Sequence, residues 1–154
     1  MEIERKFLVK NIPDSFKEYE KIDILQAYIS TKPTIRIRKC NDNFILTIKG
    51  KGTIAKEEYE LEITEDEFNS LLNKKEEGTK CIKKTRFKIP LKDGLTAELD
   101  EYYGELEGLF TVEVEFAEID AARDFVPPDW FGKEVTEDST FSNASLSKNG
   151  IERQ

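Results

Sequence analysis

Charged side chains recur at every second position along several short segments of this sequence. The acidic ones are Glu2 and Glu4, Glu58 and Glu60, Glu98 and Asp100, and Glu113 and Glu115. The basic ones are Arg36 and Arg38, then Lys84, Arg86 and Lys88, with Lys6 and Lys49 on further segments. Positions i and i+2 of a β-strand share one face, so each set lines one side of a strand. Carboxylates bind Mg²⁺ or Mn²⁺, and Lys and Arg bind phosphate oxygens, so a metal-chelated polyphosphate is a ligand that needs both.

The default interpretation of a charged strand face is that it faces solvent, as in an ordinary antiparallel sheet. Solvated faces usually mix charges, because cross-strand pairs of opposite sign are favoured. Here whole strands are acidic or basic, so like charges crowd along each face unless a ligand of opposite charge relieves them. Alternation by itself leaves both interpretations open.

Composition disfavours several other functional classes. The chain contains no His, which removes the Ser-His and Cys-His nucleophile pairs and His-ligated metals. Its net charge of -8 disfavours a general nucleic-acid binder, and no apolar run reaches the ~20 residues of a membrane span. Two Cys fit unpaired thiols in a reducing cytoplasm, and the charged N-terminus lacks a signal-like segment. We therefore expect a cytoplasmic protein with neither nucleic acid nor membrane as a partner.

Short segments of period-two alternation, separated by turn or helix signals, predict the secondary structure. Strands are predicted over 2–9, 22–30, 34–40, 44–51, 57–63, 80–89, 95–102 and 111–116. Helices are predicted over 14–19, 65–74, 120–125 and 142–148, the second from a capping-box pattern that begins at Thr64. Many evenly spaced strands with little helix indicate a mainly β (α+β) fold, and closure into a barrel removes exposed edges. We predict a single domain over residues 1–154, built as an eight-stranded antiparallel β-barrel with a few flanking helices.

A set of ordered motifs runs through the whole chain. It opens with Glu2-Ile3-Glu4-Arg5-Lys6, which is similar to a Glu-x-Glu-x-Lys signature. The later motifs are IRIR at 35–38, LTIKG at 46–50, EYELE at 58–62, KTRF at 84–87, ELDEY at 98–102, VEVEF at 112–116, and the tail segments 132–136 and 141–146. In this order they resemble the CYTH superfamily, the triphosphate tunnel metalloenzymes.

The resemblance implies a tunnel with charges inside and apolar strand faces outside, under the helices. The catalytic and substrate-binding cations would then be Lys6, Arg36, Arg38, Lys49, Lys84 and Arg86. One divalent ion, Mg²⁺ or Mn²⁺, would be held by Glu2, Glu4 and Glu115. Candidates for a second ion or for orienting water are Glu58, Glu60, Asp100 and Glu113. Tyr28 is a further candidate, for substrate choice.

The leading functional hypothesis is metal-dependent hydrolysis of a small-molecule triphosphate. Inorganic tripolyphosphate is the favoured substrate, because the chain is short and has no evident base-recognition element. The alternatives are a class IV adenylate cyclase, a thiamine triphosphatase and, from another class, a polyphosphate-binding module without activity. The proton acceptor stays open among a metal-bound hydroxide, a tunnel Glu and a Lys of lowered pKa. We also expect a homodimer, since the apolar outer strand faces exceed what a few short helices can cover.

Overall fold

A computed structural model describes residues 1–52 and 54–151 as one antiparallel sheet of ten strands that curls into a nearly closed barrel. The strands are β1 (Glu2–Val9), β2 (Glu20–Thr31), β3 (Thr34–Cys40), β4 (Asn43–Lys49), β5 (Ala55–Lys56), β6 (Glu58–Ile63), β7 (Ile82–Pro90), β8 (Thr96–Tyr102), β9 (Phe110–Glu115) and β10 (Phe131–Glu134). All predicted strands are present, with ends displaced by no more than two residues. Alternation does not predict β5 and β10, because two and four residues are too short to display it.

The order of the strands explains how the barrel closes. Neighbouring strands follow the order β10-β1-β9-β8-β7-β2-β3-β4-β6, and β5 pairs with β1. Glu2 lies opposite Lys56 and Ile3 lies opposite Ala55 in that last pairing. Because β5 directly precedes β6 in the chain, these two residue pairs bridge the gap between the two ends of the sheet.

Three α-helices cover parts of the barrel: α1 (Glu65–Leu72), α2 (Ile119–Asp124) and α3 (Asn143–Asn149). The capping box that predicts α1 is confirmed, because the side chain of Thr64 accepts from the amide of Glu67 and the Glu67 side chain accepts from the amide of Thr64. The helix predicted over 14–19 is wrong in extent, since only Phe16–Glu18 form a 3₁₀ turn. Ser15 has a φ of 58°, and this left-handed conformation prevents a right-handed helix from starting earlier. No helix in the described part of the chain is long and apolar enough to cross a membrane.

The apolar faces of the strands lie outside the barrel, and the charged faces lie inside. The largest buried cluster contains Phe7, Phe87, Ile89, Ala97, Leu99, Val112, Val114, Phe116, Ala122 and Phe131. Phe68 of α1 packs on Ile37 and Ala27 in a second cluster. The interpretation of the charged faces as solvated is therefore wrong for this sheet, and the tunnel arrangement is confirmed.

A smaller set of apolar side chains stays exposed on the outer face of β4 and β6. Tyr59 and Leu61 expose 67% and 60% of their surface, and Ile48 lies opposite Tyr59 in the sheet. Such a patch is the kind of surface that a second copy could cover, and the homodimer stays a prediction.

Arg5 joins three elements that lie far apart in sequence. Its guanidinium donates to both carboxylate oxygens of Glu134, at 2.9 and 2.7 Å. It also donates to the carbonyls of Ala122 and Phe125, each at 2.9 Å. The guanidinium carbon lies 5.2 Å from the ring centre of Phe7. One side chain therefore ties β1 to α2 and β10.

We expect Arg5→Met to lower the free energy of unfolding by about 2–3 kcal/mol, because two carbonyls and a carboxylate lose their donor. Glu134→Gln removes only the charge of a partly exposed partner and should cost about 1 kcal/mol or less. Urea unfolding followed by circular dichroism measures both changes. Equal losses for the two variants would contradict a role for the carbonyl contacts.

Candidate active site

The barrel encloses a charged cavity of about 400 Å³. The predicted site residues in its wall are Glu2, Glu4, Lys6, Tyr28, Arg36, Arg38, Lys49, Glu58, Glu60, Arg86, Glu113 and Glu115. They belong to seven strands, β1 to β4, β6, β7 and β9, so closure of the barrel is what brings them together. Lys84 and Asp100 are the predicted site residues that do not lie in the wall.

Most cations of the wall form an ion pair with a carboxylate of another strand. The ion pairs are Lys6–Glu113 at 3.7 Å, Arg38–Glu60 at 3.0 Å and Lys49–Glu2 at 3.1 Å. Charges that leave water need such partners, since an isolated buried charge costs several kcal/mol even after relaxation. These pairs keep the cations ordered before any ligand arrives.

Arg36 differs from the other cations because no carboxylate among the described residues forms an ion pair with it. The residue is 7% exposed, and its Nε has no hydrogen-bond partner within the described residues. Burial opposes its charge, but Tyr28 and Glu58 nearby raise the pKa of the guanidinium above its usual value. A buried cation without a counter-charge is suited to bind an anion that enters the cavity.

Three carboxylates converge on one point of the wall. One oxygen each of Glu2, Glu4 and Glu115 lies within 4.8 Å of the others. Opposite ligands of an octahedral Mg²⁺ are about 4.2 Å apart, so small side-chain movements would let all three contact one ion. The donor set is all oxygen, which Mg²⁺ and Mn²⁺ prefer. The three side chains therefore fit a hard divalent cation.

The protonation of the acidic groups reflects their crowding. Burial, together with the charge of Glu113, raises the pKa of Glu4 to about 9. Burial and the hydrogen bond with Glu2 raise the pKa of Glu58 to about 8. Burial also opposes the charge of Glu113, yet Lys6 and Arg86 hold its pKa well below the usual value. A divalent cation bound here would favour the ionised forms of Glu4 and Glu58, against the burial and the neighbouring carboxyl groups that raise their pKa values.

Lys84, Asp100 and Arg86 form an ion-pair triad at the base of the site. Lys84 Nζ lies 2.8 Å from Asp100, and Arg86 donates to the two Asp100 oxygens at 2.8 and 3.0 Å. Lys84 and Asp100 are 2% and 1% exposed, and the Lys84 ammonium lies 5.4 Å from the Tyr102 ring centre. Asp100 therefore orients Arg86, which does line the cavity, instead of offering free oxygens to a metal.

The sequence did not indicate one whole side of the cavity. The additional wall residues are Thr34, Gly52, Lys56, Val135, Thr136, Glu137, Asp138, Ser139, Ser142, Asn143 and Ala144. Most of them belong to the coil between β10 and α3, which has no periodicity that could reveal an inward face. Lys148 of α3 is not part of this wall, and its ammonium lies 3.7 Å from Glu76.

Comparisons with known proteins agree with this geometry. A CYTH domain model matches residues 1–148. The chain is 41% identical over 150 residues to an inorganic triphosphatase of Nitrosomonas europaea, covering 95% of this chain and 96% of that protein. It is 40% identical over 152 residues to an inorganic triphosphatase of Acetivibrio thermocellus, covering 96% and 94% respectively. A crystal structure of an inorganic triphosphatase matches with a TM-score of 0.70 and 39% identity, covering 97% of this chain and 95% of that one. With this charged barrel and a match that spans almost its full length, the chain belongs to the CYTH domain family.

Proposed function

We propose that this protein hydrolyses inorganic tripolyphosphate with the help of a divalent metal, Mg²⁺ or Mn²⁺. The observation that carries the proposal is one cavity that holds a convergent carboxylate cluster, several paired cations, and Arg36, which has no ion-pair partner within the part of the chain that the structure describes. An anionic chain with its metal matches both halves of that surface. Two relatives that match nearly the whole chain are named inorganic triphosphatases, which supports the same substrate.

The cations of the wall bind and align the phosphate chain. The proposed set is Lys6, Arg36, Arg38, Lys49 and Arg86. Arginine suits two-point contacts with phosphate oxygens, and lysine supplies a compact charge. Arg86 is held by Asp100, so its guanidinium loses little conformational freedom when substrate binds. Lys84 lies outside the wall and contributes indirectly, because it forms an ion pair with Asp100, which holds Arg86.

The carboxylates divide into a metal-holding group and a supporting group. Glu2, Glu4 and Glu115 would hold the divalent ion, which neutralises charge that develops on the transferring phosphoryl group. The supporting group, with roles in a second ion site or in orienting water, is Glu58, Glu60 and Glu113. Burial and the hydrogen bond with Glu2 raise the pKa of Glu58 to about 8, so most of this carboxyl is protonated near neutral pH and only its ionised fraction could act as a base.

The alternative enzymes require recognition of an aromatic ring. An adenylate cyclase must bind adenine, and a thiamine triphosphatase must bind a thiamine ring. Among the described residues of the cavity wall, Tyr28 is the one aromatic side chain, and it is only 2% exposed. This leaves little ring surface for stacking and favours a purely inorganic substrate. A binding module without activity has no use for the carboxylate cluster.

We also propose that the protein works in the cytoplasm as a partner of small molecules only. Cys40 and Cys81 are free thiols, which suits a reducing compartment. The acidic net charge of -8 disfavours contact with nucleic acid.

Phosphate release from tripolyphosphate, ATP and thiamine triphosphate, with Mg²⁺, Mn²⁺ or EDTA, tests the substrate directly. We expect release from tripolyphosphate at least 10-fold faster than from the other two substrates, and none in EDTA. Conversion of ATP to pyrophosphate and cyclic AMP, without release from tripolyphosphate, would replace this proposal with the cyclase.

Glu4→Gln tests the metal-holding group. We expect kcat/KM for tripolyphosphate to fall at least 100-fold, about 2.7 kcal/mol of transition-state stabilisation, while the thermal midpoint stays unchanged or rises. The matched control is Glu62→Gln, since Glu62 is an exposed strand carboxylate outside the cavity wall. A kcat/KM of the Glu4 variant close to the wild-type value would contradict the assignment of Glu4 as a metal ligand.

Metal binding should release protons, because Glu4 with a pKa of about 9 is protonated at pH 7 without metal. We expect Mn²⁺ affinity to rise between about pH 6 and 9, since fewer protons must then be displaced. Calorimetry at pH 7.5 in buffers of different ionisation enthalpy counts the released protons. The Glu4→Gln variant should release fewer protons than the wild type, and an unchanged count would contradict the role of Glu4.

A further inference from the structure

One end of the cavity is lined by the tail of the chain. Residues 135–139 and 142–144 line this end, and α3 follows directly. Leu146 of α3 packs against Ile82, Tyr102 and Leu106. This apolar contact fixes α3 on the barrel, so polar groups at its start have defined positions relative to the cavity.

Asn143, the first residue of α3, lines the cavity and is held from behind. The Tyr102 hydroxyl donates to Asn143 Oδ1 at 3.0 Å and lies 3.1 Å from Thr111 Oγ1. Tyr102 is 1% exposed and Thr111 is fully buried, so this relay is rigid. With Oδ1 engaged by Tyr102, the amide Nδ2 remains, and no described residue accepts a hydrogen bond from it. Because Asn143 lines the cavity, this donor is available to a ligand there.

Lys6 supplies a second donor at the same end. Its ammonium donates to the carbonyl of Phe141 at 2.7 Å, two residues before Asn143, and lies 3.7 Å from Glu113. The carboxylate of Asp138, which also lines this end, accepts from the amide and hydroxyl of Thr140 at 3.0 and 2.6 Å. These hydrogen bonds stabilise the Asp138 carboxylate, and the exposed Glu137 is a second carboxylate at this end, so Lys6 and Asn143 are the donors here that an anion can reach.

We propose that Asn143 Nδ2 donates a hydrogen bond to an oxygen of the phosphoryl group that occupies the α3 end of the cavity, and that Tyr102 is its positioning residue. This inference rests on the proposed triphosphatase function and deepens it. In this proposal the hydrogen bond is made to the terminal phosphoryl group of the phosphate chain that lies beside the tail residues. A neutral amide adds this recognition without burying another charge.

Asn143→Asp tests the donor with minimal change in shape. The carboxylate still accepts from Tyr102 but replaces the NH₂ donor with a charge that repels phosphate. Hydrogen bonds to charged groups contribute about 1.5–3 kcal/mol, so we expect KM for tripolyphosphate to rise at least 10-fold, with kcat within about threefold of wild type. The control is Asn149→Asp, the same change at an exposed position of α3 outside the cavity wall, which should leave KM unchanged.

Tyr102→Phe distinguishes the positioning of Asn143 by Tyr102 from the hydrogen bond that Asn143 itself makes to the phosphate. It keeps the amide but releases its anchor, and we expect KM to rise about threefold, less than for Asn143→Asp. If wild-type protein hydrolyses tripolyphosphate and the KM of Asn143→Asp stays within twofold of the wild-type value, the inference about Asn143 is wrong and the proposed function stands. A wild-type protein that leaves tripolyphosphate intact would overturn the proposed function as well. If Asn143→Asp lowers the thermal midpoint by more than about 5 °C, Asn143→Ser decides by the same KM criterion.

Discussion

The constraint on which the whole molecule depends is the cost of keeping many charges inside a barrel. An unpaired buried charge costs several kcal/mol, so a charged interior is stable only where each group has a counter-charge or a donor. The triad of Lys84, Asp100 and Arg86 meets this condition most completely, with contacts of 2.8 to 3.0 Å around an Asp100 that is 1% exposed. The same condition explains why Lys6, Arg38 and Lys49 each face a carboxylate.

The exceptions to complete pairing are the informative positions. No carboxylate among the described residues forms an ion pair with Arg36, and burial together with the charge of Glu113 raises the pKa of Glu4 to about 9. A phosphate chain would supply the missing charge to the first, and a divalent ion would supply it to the second. The positions whose charges are not fully compensated therefore match the charges of one ligand, a metal-bound polyphosphate.

Much of this arrangement was predictable from the sequence, because strand alternation assigns side chains to faces. Arg36 and Arg38, or Glu113 and Glu115, share a face in any strand, and the structure has them so. Alternation carries no information on depth along the barrel axis. Asp100 and Glu98 therefore look equivalent in sequence, although Asp100 is 1% exposed and the Glu98 side chain is 17% exposed. The tail wall was not predictable either, since irregular backbone such as Thr136–Ser142 has no period from which to infer an inward side.

The position of β1 in the sheet has a consequence for the order in which the chain can fold. This strand pairs with β9, β10 and β5, and Glu4 lies opposite Glu115. The ribosome therefore adds more than a hundred residues after β1 before β9, its main partner, has been synthesised. Contacts of such long sequence separation slow folding, and unpaired strand edges are prone to aggregate in the meantime. We expect the nascent chain to be a better chaperone substrate than the finished protein, whose charges are by then enclosed.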